Sequence, residues 1–140
     1  MADRAKASRA RQELVATEQA RAAHVRELLA SDVMVDGSFV TLSRKCGKPN
    51  CHCAFGEKHL AKYVSRKIAG RTKLTYVPAA NELEVSTKAE RYRKLRQARA
   101  ELVKLAARTA ELADELQVSL VEPLPIKDEA RPSRNGRRSR

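Results

Sequence analysis

The chain predicts an α+β fold, with a small three-stranded antiparallel zinc-binding head inserted between two long helices that form an antiparallel coiled-coil stalk. Three observations carry this expectation. Two long segments without Gly or Pro, rich in Ala and Leu, flank the middle of the chain and repeat apolar residues at three- and four-residue intervals. Between them lie three short runs of β-branched and aromatic residues separated by turn formers. One loop among those runs holds all three cysteines and two of the three histidines. The boundaries that follow are residues 1–31 for the first stalk helix, 37–78 for the head, 79–120 for the second stalk helix and 121–140 for a basic tail.

The first helix is expected from about Asp3 to Ala30. Leu14, Val15, Ala22, Val25, Leu28 and Leu29 form a narrow, alanine-rich stripe, wide enough for one partner helix and too narrow for burial on all sides. Ser31-Asp32 and Asp36-Gly37 then interrupt the helix. From Ser38 to Arg44, Phe39-Val40-Thr41-Leu42 favours a strand. Tyr63 to Ile68 favours a second and Thr72 to Val77 a third. Ala69-Gly70-Arg71 turns between the last two, which pair as a hairpin, and Pro78 ends it.

The loop between the first two strands carries Cys46, Cys51, Cys53 and His59 in a C-x4-C-x-C-x5-H spacing. A structural zinc site is tetrahedral, and Cys3His is one of its usual donor sets. Gly47, Pro49-Asn50 and Gly56 stand between the ligands, where the backbone must bend to aim them at one point. Other fates for these thiols fit less well. A disulfide framework leaves one cysteine over. Inert burial is at odds with neighbours such as Lys48, Asn50, Glu57 and Lys58. A nucleophile needs a third orienting group that the loop does not offer. His52 lies between two cysteines and is the alternative fourth ligand; His59 is preferred because the intervening loop can then wrap the ion.

The second helix is expected from a cap at Asn81, with Glu82 and Glu84 in its first turn, to about Val118, before Pro123 and Pro125. A heptad runs along it: Leu95, Leu102, Thr109 and Leu116 at one position, Ala98, Leu105 and Leu112 at the other. Helix one begins basic, with Arg4, Lys6, Arg9 and Arg11, and helix two ends acidic, with Glu111, Asp114 and Glu115. Both arrangements oppose their own helix dipoles, so an antiparallel pairing of the two ends is the expected reason for them. The two helices are expected to be of similar length, about 40 Å. An intermolecular bundle using the same seam is the rival arrangement, and it leaves a homo-oligomer open.

Charge points to partners. The formal net charge is +12, from 29 Lys and Arg against 17 Asp and Glu. Between Ser38 and Pro78 nine basic residues, Arg44, Lys45, Lys48, Lys58, Lys62, Arg66, Lys67, Arg71 and Lys73, face the single acid Glu57, a local excess of +8. Lys88, Arg91, Lys94, Arg96 and Arg99 extend this onto the second helix. Arg137 and Arg138 stand in a Pro-, Ser- and Arg-rich tail expected to be disordered. Ordinary surfaces interleave both signs, so such a surface suits phosphate backbones, DNA more than RNA. Tyr63 and Tyr76 either form the small core of the sheet or stack on exposed bases. No apolar run reaches the roughly 20 residues of a spanning helix, and the first residues lack an apolar signal core. A cytoplasmic protein without membrane partners is expected. Zinc hydrolysis needs an open coordination position and usually a carboxylate base. The loop offers four protein ligands and one carboxylate, so no enzyme is expected.

Gly37-Ser38-Phe39-Val40, the run from Cys46 to Cys53, Tyr76-Val77-Pro78 and Arg91-Tyr92-Arg93 together resemble a family of small bacterial and phage proteins without an assigned activity, often encoded beside transposases or integrases. The likeness covers roughly Gly37 to Gln97. Leu60-Ala61-Lys62-Tyr63 departs from the aromatic run that members often carry after the histidine. The resemblance implies a mobile-element setting and a recombinase or transposase partner, and supplies no catalytic residues. The expected role is a non-catalytic nucleic-acid-binding accessory protein. The alternative is a coiled-coil assembly or adaptor protein without nucleic-acid binding.

Overall fold

The computed structural model describes residues 1–126, so the tail residues Arg137 and Arg138 lie outside the described part. Helix α1 spans Arg4–Leu29, strand β1 Ser38–Arg44, β2 His59–Ile68, β3 Arg71–Val77 and helix α2 Glu82–Leu120. The protein is thus α+β, with one three-stranded antiparallel sheet of order β1-β2-β3 between two helices. Asp3 starts α1 as its cap, its carboxylate accepting the Lys6 amide at 2.9 Å, which satisfies one of the free amides of the first turn. Asn81 does not act similarly: its side chain makes no capping bond. Its amide instead closes a 3-10 turn onto the Pro78 carbonyl at 2.9 Å, so the backbone enters α2 already coiled and leaves the side chain no capping geometry.

The strands fall close to expectation, with one correction. β2 begins at His59, not Tyr63, because Leu60, Ala61 and Lys62 pair with Ser43, Leu42 and Thr41. Lys62 gains a local reason to be there, donating to Thr41 Oγ1 at 2.8 Å. The β2–β3 hairpin turns through two residues, Ala69 at φ +50° and Gly70 at φ +78°, between the paired Ile68 and Arg71. Positive φ at both central positions is what a type I′ turn requires, and its twist matches that of the strands.

α2 is longer than its partner, 39 residues against 26, in keeping with the bounds expected for each helix and correcting the expectation of a similar length of about 40 Å. Asp3 donates its amide to the Ser119 carbonyl at 2.8 Å, and Arg108 pairs with Glu13. Both contacts join residues whose numbers add to nearly the same value, the signature of an antiparallel pairing. The same register sets Ala10 by Leu112 and His24 by Ala98, and leaves the first turns of α2 without a partner in α1. Those turns cover the sheet instead. Val64 and Val77 are buried on that side, where they line one pocket with Val35 and Val85. The segment between α1 and β1 is tied to the same turns: Val35 donates to the Lys88 carbonyl at 3.2 Å, and Arg91 donates to the Val33 carbonyl at 3.0 Å.

The helix seam is thinner than the heptad implied. Ala7, Ala10, Ala98 and Leu112 are its buried apolar residues, and Ser119 continues the spacing beyond the expected helix end. Val15 and Leu29, expected on the stripe, are exposed. Thr109 is exposed as well and returns its hydroxyl to the Leu105 carbonyl at 2.8 Å. Arg108 beside it stays partly in solvent and reaches across to Glu13. The ion pairing also differs from the expected one. Among the described residues the salt bridge between the helices joins a cation of α2, Arg108, to an acid of α1, Glu13, at 2.5 Å, and the same guanidinium reaches Glu111 and Glu115. None of Arg4, Lys6, Arg9 or Arg11 pairs with the acidic end of α2. Exposed long side chains lose entropy when fixed, and one guanidinium already shared by three carboxylates leaves little for them to gain.

Candidate metal centre

The loop from Lys45 to Lys58 is closed at its base by the pairing of Arg44 with His59. That pairing fixes two of the four candidate ligands: Cys46 follows the end of β1 by two residues, and His59 opens β2. The other two come from a compact turn. The Cys51 amide donates to the Lys48 carbonyl at 3.2 Å, and a short 3-10 turn over His52–Ala54 is held by bonds from Ala54 to Cys51 and from Gly56 to His52. Gly47 supplies the left-handed step, at φ +78°, that reverses the chain after Cys46. Each bend expected from Gly and Pro-Asn therefore has a visible task.

These turns bring the Sγ atoms of Cys46, Cys51 and Cys53 and a ring nitrogen of His59 within 4.8 Å of one another. Cys46 and Cys53 sulfurs are 3.4 Å apart, and Cys51 Sγ is 3.0 Å from His59 Nε2. Tetrahedral zinc at ordinary bond lengths sets two sulfurs about 3.8 Å apart and a sulfur and nitrogen about 3.6 Å apart. The cluster therefore matches the size of such a site, and its soft donor set is compatible with zinc. His59 completes the group. His52 stands outside it, with Nδ1 3.9 Å from Cys51 Sγ and its ring edge-on to His59 at 5.1 Å between centroids.

The thiols are not equivalent. The Lys48 amide, followed by the Cys53 thiol, lowers Cys46 to about 7, so this exposed sulfur readily supplies the thiolate that metal binding requires. Cys53 is buried. The Cys46 amide, which approaches its sulfur at 3.4 Å, works to lower it, yet burial and the neighbouring thiols together raise it. A cation at the centre reverses that penalty, since it is the missing counter-charge for crowded sulfurs. Four protein donors fill a tetrahedral shell, which is the arrangement of a closed structural site.

The cations named from sequence do not form one patch. Strand register places Lys62, Arg66, Lys73 and Arg71 on the side of the sheet that α2 partly covers, and Arg44 and Lys67 on the other. Lys45, Lys48 and Lys58 sit exposed in the metal loop. Arg91 is committed to Val33, while Lys94 is exposed on α2. What sequence reasoning left undecided is the outer face of the sheet. There Val40, Tyr63 and Tyr76 form one row across the three strands, with the two tyrosine rings edge-to-face at 5.9 Å and the Arg44 guanidinium 5.0 Å from the Tyr63 centroid. Alternation along β2 and β3 signals that both tyrosines share a face; which face is covered is decided by where α2 lies.

No curated protein and no solved structure matches the chain. A family described as a domain of unknown function, DUF6788, matches residues 6–86. That span takes in nearly all of α1, the sheet with its Cys3His loop and the first turns of α2, so it reaches further toward the N-terminus than the likeness over Gly37 to Gln97. With more than half of its length matched, the chain belongs to the DUF6788 family.

Proposed function

We propose that the chain is a non-catalytic nucleic-acid-binding accessory protein, in which zinc on Cys46, Cys51, Cys53 and His59 fixes a basic head and the helical pair docks a partner, such as the recombinase or transposase of a mobile element. The observation that carries this is the charge of the head: nine cations against one acid between Ser38 and Pro78, on a sheet so small that most of them reach solvent. Three thiolates on a zinc ion would remove only one unit of that excess. Released counterions make phosphate binding fall steeply with salt. The test is a binding titration of the purified, metal-loaded protein against a labelled oligonucleotide at 50 and 200 mM salt. Binding that weakens at least tenfold between the two supports the proposal. Binding indifferent to salt, or none at low salt, overturns it.

A second function is favoured by a separate observation. Val103 and Val118 are exposed on α2 and Val15 on α1, so the helices present apolar side chains outside their own seam. An assembly or adaptor protein built on a coiled-coil stalk would use them. Sedimentation of the wild type and a Val103→Glu variant separates the two: self-association or partner capture that survives loss of the head's lysines, and fails in the variant, favours the adaptor.

A further inference from the structure

We propose that the outer face of the sheet is a stacking platform for single-stranded nucleic acid, centred on Tyr76 and Tyr63; this rests on the nucleic-acid function above and names its substrate class. The two faces of the sheet differ in kind. One is covered by the first turns of α2, with Val64 and Val77 buried beneath them. The other has no covering element among the described residues, and it holds the aromatic row. Tyr76 is 60 % exposed. A tyrosine that had only to complete a small core would be on the side of Val64, where the apolar residues are buried.

Charge selects the occupant. Arg44 stands at one end of this face, stacked on Tyr63, and Lys67 stands at the other. No strand residue on this face is acidic. Arg44 pairs with His59, so the platform runs directly into the metal loop and its exposed Lys45, Lys48 and Lys58. Aromatic faces flanked by cations suit a ligand that alternates flat rings with phosphates, and stacking is available only to bases that are not already paired. A second copy of the same face would set like charges against each other. From His59 to Lys67 the strand is about 26 Å long, room for a few nucleotides.

The chain has no tryptophan, so a Tyr76→Trp variant of the full, zinc-loaded protein carries a single indole reporter on the platform. It is titrated with 12-mers of oligo(dT) and oligo(U), with a duplex of equal length, and with polyglutamate of similar length. Stacking quenches the indole saturably with single strands and little with duplex, and the two single strands rank DNA against RNA. In parallel, Tyr76→Ala weakens single-strand binding about tenfold or more, while Tyr76→Phe, which keeps the ring, restores it and reports that the sheet has folded. The inference is overturned if duplex binds as tightly as single strands and Tyr76→Ala changes neither, even when binding remains salt-dependent; the broader function then stands on phosphate contacts alone. Equal quenching by polyglutamate assigns the face to an acidic protein and also overturns it. Failure of every oligonucleotide to bind at low salt sinks the broader function as well.

Discussion

Gly37 illustrates how much one residue can decide. Its φ is +142°, and a Cβ there would come within 2.7 Å of Arg66 Cγ and of Val64 Cγ1 and 2.9 Å of the Ser65 carbonyl. Neither the backbone angle nor the carbonyl can give way cheaply. Gly37→Ala is therefore expected to cost about 2–3 kcal/mol, read as a lower midpoint in urea unfolding. Sequence marked this glycine as a helix breaker; the crowding against β2 that makes it necessary was not legible, because it depends on a residue 27 positions away. The histidines offer a second comparison. His59→Ala is expected to lower bound zinc below one per chain under mild chelation, and His52→Ala to leave it at one, as measured by elemental analysis. The opposite ranking would reassign the fourth ligand. The spacing left both histidines open; the strand pairing of His59 with Arg44 is what aims its ring at the sulfurs.

Along the helices, the ranking of side chains follows burial rather than charge. Leu112 is 0 % exposed at the seam, so Leu112→Ala is expected to destabilise by about 2–4 kcal/mol. Arg108→Ala removes every ion pair that Arg108 makes, including the one to Glu13 that holds its guanidinium firmly protonated. Those groups remain in water, so the expected loss is much smaller than that of Leu112→Ala. Thermal or urea unfolding of the two variants reads the difference, and comparable losses would show that the charge cluster fixes the pair. Regular spacing of Leu and Ala on α2 located two buried positions, Ala98 and Leu112, while Thr109 of the same repeat is exposed. The α1 stripe departs from expectation, since Ala7 and Ala10 are buried and the larger Val15 and Leu29 are not. Close approach of two helices selects small residues, a preference that a hydrophobicity pattern does not record.

For the molecule as a whole, the two parts rest on different sources of order. The helical pair is held by its own seam and by contacts such as Asp3 to Ser119. The head has one covered sheet face and a loop whose donor atoms crowd together without an apolar core around them. Metal binding free energy in such a module is folding free energy. Chelation is expected to raise amide hydrogen exchange across residues 45–58 and the adjoining strand ends, while helical circular dichroism at 222 nm changes little. Simultaneous loss of both signals would show that the helices also depend on the ion.

Sequence by itself determined the α+β class, the order of the elements and the three cysteines of the cluster, with a histidine of the same loop as the fourth donor. These follow from local rules: apolar periodicity, turn formers and the spacing of donors within one short loop. Tertiary structure decided which helix positions form the seam, that Arg108 rather than the basic start of α1 bridges the helices, and that the tyrosines lie on the open side of the sheet. All three depend on how α2 packs against α1 and the sheet. That packing joins residues from about 50 to more than 100 positions apart, and no local pattern in the chain encodes it.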